Sequence, residues 1–359
     1  MNKIAVAASM LLATATGVGA QTNVTLYGAV DAGINSVKVG SKSALKISEG
    51  GIVASQIGFR GSEDLGGGLK ALFQLEGGIS IDTGDGNIPS VAGSTGFAFT
   101  RQAYMGLDSN WGAITMGRQY TPTFVALATW DPFVSNGIVG STNLWFFAND
   151  QPGHLAMQVR QNNSLMYKSP ATFPFRFQAM YGAGEAETPS TQSGRLVDLL
   201  GAYVNGPIRV SLSRQERKTG SAAAPVASPA TSIIQLLAAD YSSGAWRFGV
   251  NLGNSKSDIG GVPSAKFVGL MTQYQTASGW TFLANIQKRD VASTSNDQTA
   301  YTIGVNYDLS KRTALYGRML TFNNGGTANM QLGGYTITAG SATPGDDGRS
   351  ILFGVLHRF

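Results

Sequence analysis

The sequence predicts an all-β fold, a sixteen-stranded antiparallel transmembrane β-barrel, and three observations carry the prediction. An apolar leader opens the chain. A two-residue alternation of apolar and polar side chains then dominates as far as the last residue. Short and long connections alternate between the strand-like runs. That is the rhythm of an up-and-down barrel in an outer membrane, with short turns on one rim and long loops on the other.

Residues 1–20 have the form of a signal peptide. Lys3 supplies the positive start, "IAVAASMLLATA" (4–15) the apolar stretch, and "VGA" (18–20) small residues for cleavage near Ala20. The stretch is too short to span a bilayer. The mature chain, 21–359, reads as a single barrel domain and has no apolar run near the length of a spanning helix. Charged residues make up only 13%, about half the usual share, yet mean hydropathy is near zero. Alternating apolar and small polar residues reconcile the two. The net charge of +5 is modest, which gives little support to nucleic-acid binding. The lack of Cys excludes disulfides and thiolate metal sites.

Sixteen runs can be placed: 24–33, 54–61, 69–81, 100–107, 113–119, 163–169, 175–182, 195–204, 208–215, 232–241, 246–255, 266–275, 280–288, 298–308, 314–322 and 350–359. In 298–308, Tyr301, Ile303, Val305 and Tyr307 share one face, and Thr302, Gly304 and Asn306 the other. In 54–61, Ile57 and Phe59 oppose Gln56, Gly58 and Arg60. An apolar row suits lipid and a polar row suits a watery lumen. Tyr27, Tyr104, Tyr181, Tyr241, Trp246, Tyr274, Trp280, Tyr307 and Phe359 fall near run ends, as interfacial girdles would.

Seven connections are turn-like: 63–68, 108–112, 169–174, 205–207, 242–245, 277–279 and 309–312. Between them lie eight longer stretches: 34–53, 82–99, 120–162, 183–194, 216–231, 256–265, 289–297 and 323–349. The last run ends in "ILFGVLHRF", with Phe353, Val355, His357 and Phe359 on one face. As the final strand it must pair with the first, because an open edge in hydrocarbon leaves backbone groups unpaired.

Catalytic and metal motifs fail on spacing. "DTG" (82–84) has no second copy to form a carboxylate pair. His154 and His357 have no partners at metal-ligand spacing. No Ser is accompanied by a plausible His base. No cofactor and no enzymatic activity are expected.

At this point the chain resembles a known family. "SQIGFRGSEDLGGGLKALFQLEGG" (55–78) and "RQAYMGLDSNWGAITMGRQYTP" (101–122) resemble general porins of Gram-negative, beta-proteobacterial type. "NVTLYGAVDAGI" (23–34), "NNSLMYKSP" (162–170), "LSKRTALYG" (309–317) and the terminal "HRF" are similar to further segments, in the same order. The resemblance implies sixteen strands, a homotrimer of water-filled pores and a third loop folded inward to narrow each one. It implies an outer-membrane setting among lipid and lipopolysaccharide, and passive diffusion of small hydrophilic solutes and ions. It also implies that Phe359, with His357, Val355 and Phe353, is the assembly signal read by the barrel-insertion machinery. A substrate-specific channel and a non-conducting surface adhesin barrel are the alternatives.

The stretch 120–162 matches the inward loop. It carries Phe124, Trp130, Phe133, Trp145, Phe146 and Phe147, rings an inward loop needs for packing, and two acids, Asp131 and Asp150. By motif, Arg101 and Arg160 correspond to wall arginines of the constriction, Asp131 to the acidic loop position and Glu76 to an acidic wall position. Gln56 departs from the pattern, since basic relatives often carry Arg there. Arg60 shares the parity of Gln56 and should face the lumen. These residues point to a weakly anion-preferring channel. Arg118 is left open between the pore and a subunit contact.

Overall fold

A computed structural model describes residues 23–86, 96–134, 140–145, 157–184, 191–221, 224, 226–328 and 343–359. The leader, Phe146, Phe147, Asp150 and His154 lie outside these residues. The described residues form one antiparallel sheet. Its segments are β1 (Asn23–Val39), β2 (Lys42–Ser48), β3 (Gln56–Gly66), β4 (Leu69–Gly78), β5 (Gln102–Ser109), β6 (Gly112–Tyr120), β7 (Arg160–Lys168), β8 (Phe175–Gly182) and β9 (Leu196–Asn205). They continue as β10 (Ile208–Lys218), β11 (Thr231–Ser243), β12 (Trp246–Ser257), β13 (Ala265–Gln275), β14 (Trp280–Val291), β15 (Gln298–Asp308), β16 (Thr313–Asn324) and β17 (Gly348–Arg358). Helix α1 (Pro122–Trp130) and a 3-10 turn (Ser141–Trp145) lie between β6 and β7. β17 pairs with β1 from Ala29 opposite Arg358 to Val39 opposite Gly348, so the sheet closes.

Seventeen segments make sixteen staves, because β2 and β3 are two halves of one. Gly33–Val39 pair with β2, and Asn23–Ala29 with β3. Residues 49–55 leave the wall between them. The expected long connection 34–53 is therefore a correction: β1 runs on to Val39, turns at Gly40 (φ +54) and Ser41, and returns as β2. The sixteen predicted runs all fall on strands, and every predicted short turn lies on one rim.

The outward row is apolar along the wall, as at Leu212, Leu270, Ile303 and Phe353. Near the short turns, Trp246 stands 4.5 Å from Tyr274, and Trp280 4.5 Å from Tyr307, ring centre to ring centre. These pairs fit a membrane interface. Tyr27 and Tyr104 do not belong to a girdle; both point inward, onto Glu76 and Gln74.

The barrel is not wet throughout its interior. Val37, Ile234, Leu236, Phe267, Val291, Leu320 and Phe322 point inward and pack with Leu127, Trp130, Leu144 and Trp145 of the inserted loop. Trp145 stacks on Phe267 at 3.9 Å. Burying this surface is what fixes the loop inside.

Closure reaches the final residue. Gly28 and Phe359 exchange backbone hydrogen bonds of 3.0 and 3.1 Å. The Phe359 ring lies where a side chain on residue 28 would go: a Cβ there would stand 2.4 Å from Cζ. Gly28→Val is expected to displace the ring and cost about 1–3 kcal/mol. Thermal unfolding of the folded species in detergent measures it, and an unchanged midpoint would show that the ring contributes nothing.

Candidate functional site

The inserted helix is held by charge at both ends. Thr121 caps its start, accepting from the Phe124 N–H, and Pro122 occupies the first turn, where its missing N–H costs nothing. Asp198 on β9 accepts from the Thr123 N–H at 3.1 Å and the Thr123 hydroxyl at 2.6 Å. Gln215 on β10 donates to the same carboxylate at 2.8 Å. At the other end, Arg247 donates to the Thr129 and Trp130 carbonyls at 2.7 and 3.1 Å, and Arg209 reaches Thr129 at 3.4 Å. Asp240 pairs with Arg247 at 3.0 Å. An acid at the helix start and cations at its end match the helix dipole.

The tip follows directly. Asp131 is 2% exposed. Its carboxylate accepts from the Phe133 N–H at 3.0 Å, the Asn285 amide at 2.8 Å and the Thr142 hydroxyl at 2.6 Å. The structure therefore uses Asp131 to fold the loop and does not present it to the lumen as the expected acidic loop position. Trp130, Phe133 and Trp145 are buried. Arg318 on β16 lies 5.4 Å from the Phe133 ring.

Residues 49–55 are a second inward segment, which sequence reasoning missed. Asp31 on β1 is wholly buried. Its carboxylate accepts from the backbone N–H groups of Gly51, Ile52 and Val53 at 3.2, 2.8 and 3.0 Å, and from the Tyr316 hydroxyl. Arg318 donates to the Gly51 carbonyl at 3.1 Å. Arg318 thus touches both inward segments. The available signal was an acid and an arginine on inward rows of otherwise ordinary strands.

Four of the predicted wall residues join one network. Arg101 donates through Nε to Glu76 at 2.8 Å and through a terminal nitrogen to the Tyr120 hydroxyl at 2.7 Å. Arg160 donates to the same hydroxyl at 2.7 Å and lies 4.5 Å from that ring's centre. Tyr27 donates to Glu76 at 2.8 Å, and Arg60 sits 5.2 Å from the Tyr27 ring. Gln56 lies on the same inward row as Arg60, two residues beyond Gly58. Among the described residues Arg101 is paired with a carboxylate, while Arg60 and Arg160 form no ion pair. Tyr27 and Tyr120, which tie the cluster together, were not foreseen. Arg118 is paired across the sheet with Ala103, on the row of the exposed Met105 and Met116, at a register shift. It bonds to Thr100 and Asn162 and is not part of the wall network.

Comparison with known proteins gives a consistent result. A sequence profile described as Gram-negative porin matches residues 5–327. Outer membrane porin protein 32 of Delftia acidovorans is 32% identical, over all of both chains. An outer membrane porin of Bordetella pertussis is 30% identical, covering 88% of this chain and 93% of its own. The solved structure of an anion-selective porin from Comamonas acidovorans superposes with a TM-score of 0.82 at 28% identity, over 94% of this chain and all of that one.

Proposed function

Because this chain belongs to the Gram-negative porin family and is an outer-membrane channel, we propose that its lumen passes small hydrophilic solutes and ions with a weak preference for anions. One observation carries the sign. Arg60 and Arg160 stand in the wall network without a carboxylate, Arg101 is matched by Glu76, and the loop acid Asp131 is buried. Fixed charge at a narrow section selects by attracting counter-ions and repelling co-ions. The anion selectivity of the Comamonas porin supports the same sign here.

Arg60, Arg101, Arg160 and Glu76 are proposed to set the field and Gln56 to leave it weak; Asp131, Trp130, Phe133 and Trp145 are proposed to hold the loop. The proposed assembly is a homotrimer. The outward register of Arg118 supports placing it at a subunit contact rather than in the pore. The terminal row ending in Phe359 is proposed to be the segment the insertion machinery reads.

The test is the reversal potential of the purified protein in a planar bilayer under a KCl gradient. A clear cation preference overturns the proposal. Glu76→Gln, which frees Arg101, should strengthen the anion preference, and Arg160→Gln should weaken it. One charge about 5 Å from an ion in water is worth roughly 0.8 kcal/mol, near fourfold in local occupancy. Both effects should shrink in 1 M salt, where screening acts over about 3 Å. Conductance in three equal steps tests the trimer.

A further inference from the structure

Glu49 follows β2 and opens the second inward segment, outside the strands that span the membrane. It is only 5% exposed. Among the described residues neither of its carboxyl oxygens completes a hydrogen bond. The Ser55 hydroxyl and the Ile81 N–H face it, but the hydroxyl donates instead to the Asp31 carbonyl, at 3.1 Å. The other inward acids of this region are treated differently. Asp31 has three backbone donors, Asp131 has one backbone and two side-chain donors, and Glu76 has Tyr27 and Arg101. Of these four, Glu49 alone is left without one. A buried carboxylate with no donor is costly, and the usual remedy is to keep its proton.

The charged groups around Glu49 come from several elements. Asp31 on β1 repels its charged form, and Arg101, just ahead of β5, attracts it. On β16 the Tyr316 hydroxyl is engaged by Asp31, and Arg318 by the Gly51 carbonyl. On its own hairpin Lys46 lies on the inward row, across from Asn35. Burial outweighs Arg101 and pushes the Glu49 carboxyl up to about 7. The acid therefore holds its proton below about pH 7 and releases it above. The backbone lets the ionised group turn toward water. Gly50 has φ +83, and the nearest atom to a Cβ there, the Ala54 Cα, would stand 4.0 Å away. Gly51 is held, because Asp31 accepts its N–H and the Tyr316 ring stands where its side chain would go. Movement is thus confined to Glu49 and Gly50.

We propose that Glu49 is a specificity-determining residue of the channel: packed inside the barrel it is neutral, and on losing its proton to lumen water it adds a negative charge beside Arg101 and weakens the preference for anions. Arg101 links Glu49 to the pore. It is already matched by Glu76 and shares the Tyr120 hydroxyl with Arg160. A second carboxylate beside it turns that part of the wall from balanced to negative. This role rests on the channel reading of the wall network.

Reversal potentials of the purified protein in a KCl gradient, taken across about pH 5 to 9, test it. One charge about 8 Å from an ion in water changes local occupancy roughly twofold. The chloride-to-potassium permeability ratio of the wild-type channel should therefore fall about twofold or more as pH rises through about 7. Glu49→Gln should hold the low-pH ratio over the whole range. A merely structural role would move conductance or stability and leave the pH profile in place. His154 and His357 are the other side chains that ordinarily titrate near neutrality. If Glu49→Gln does not fold, His154→Gln combined with His357→Gln decides: the profile should survive that pair, and its loss assigns the titration to histidine and overturns the proposal. A flat wild-type profile, or a slope unchanged in Glu49→Gln, overturns it as well. An anion-selective channel with a flat profile sinks this proposal alone. A cation-selective channel whose pH slope vanishes in Glu49→Gln sinks the anion reading alone.

Discussion

An Asp198→Ala barrel should keep its sheet and lose its fixed constriction. Asp198 is wholly buried and accepts from three donors at the start of α1. Alanine leaves the Thr123 N–H and hydroxyl without an acceptor, while Gln215 retains Thr121 and the Gln158 carbonyl. Each orphaned buried donor costs about 1–3 kcal/mol, so the two cost the loop roughly 2–6 kcal/mol of anchoring. Single-channel recording should show larger mean conductance and strong open-channel noise as the helix leaves its seat. Asp198→Asn keeps one acceptor and should fall between. Arg247→Ala, which still leaves Arg209 on the Thr129 carbonyl, should be milder. Wild-type noise in Asp198→Ala would mean that the apolar face of α1 holds the loop without help from its ends.

Asp31→Ala should be the most destabilising change in the wall. It removes one carboxylate from three backbone N–H groups and the Tyr316 hydroxyl. No side chain among its described partners can replace an acceptor for consecutive backbone donors. The expected loss is at least about 3 kcal/mol, read as a lower unfolding midpoint of the detergent-folded barrel. Tyr316→Phe removes one donor and should cost about 1 kcal/mol. Because Arg318 touches both Gly51 and Phe133, Asp31→Ala should also disturb the loop tip and alter conductance. A fall in stability with conductance intact would separate the second inward segment from the pore.

The strands were legible because lipid on one side and water on the other impose a period of two. The reading failed wherever that contrast inverts. Around 34–48 the outward row holds Ser36 and Lys38, and the inward row Val37 and Val39, which pack against the inserted core. Above the membrane the outside is wet and the inside is dry, so β2 looked like a loop. β11 hid its inner face for a related reason: Ile234, Leu236 and Ala238 are as apolar inside as Ile233, Leu237 and Ala239 are outside. The wall residues Arg101, Arg160 and Glu76 were named from motif. Their tyrosine linkers were not, because a strand tyrosine reads equally well as a girdle residue. Asp131 was placed in the right loop with the wrong exposure, since one acid beside a proline does not reveal whether it binds its own backbone.

The seam between β1 and β17 joins segments separated by nearly the whole chain. Contacts of that range form slowly, because the entropy of closing so long a loop is lost before any contact is gained. A polypeptide interrupted during synthesis, or clipped by a protease before arrival, cannot make the seam. It keeps a raw border that hydrocarbon rejects. A chain that lacks β1 or β17 is thus turned away from the bilayer at the seam itself.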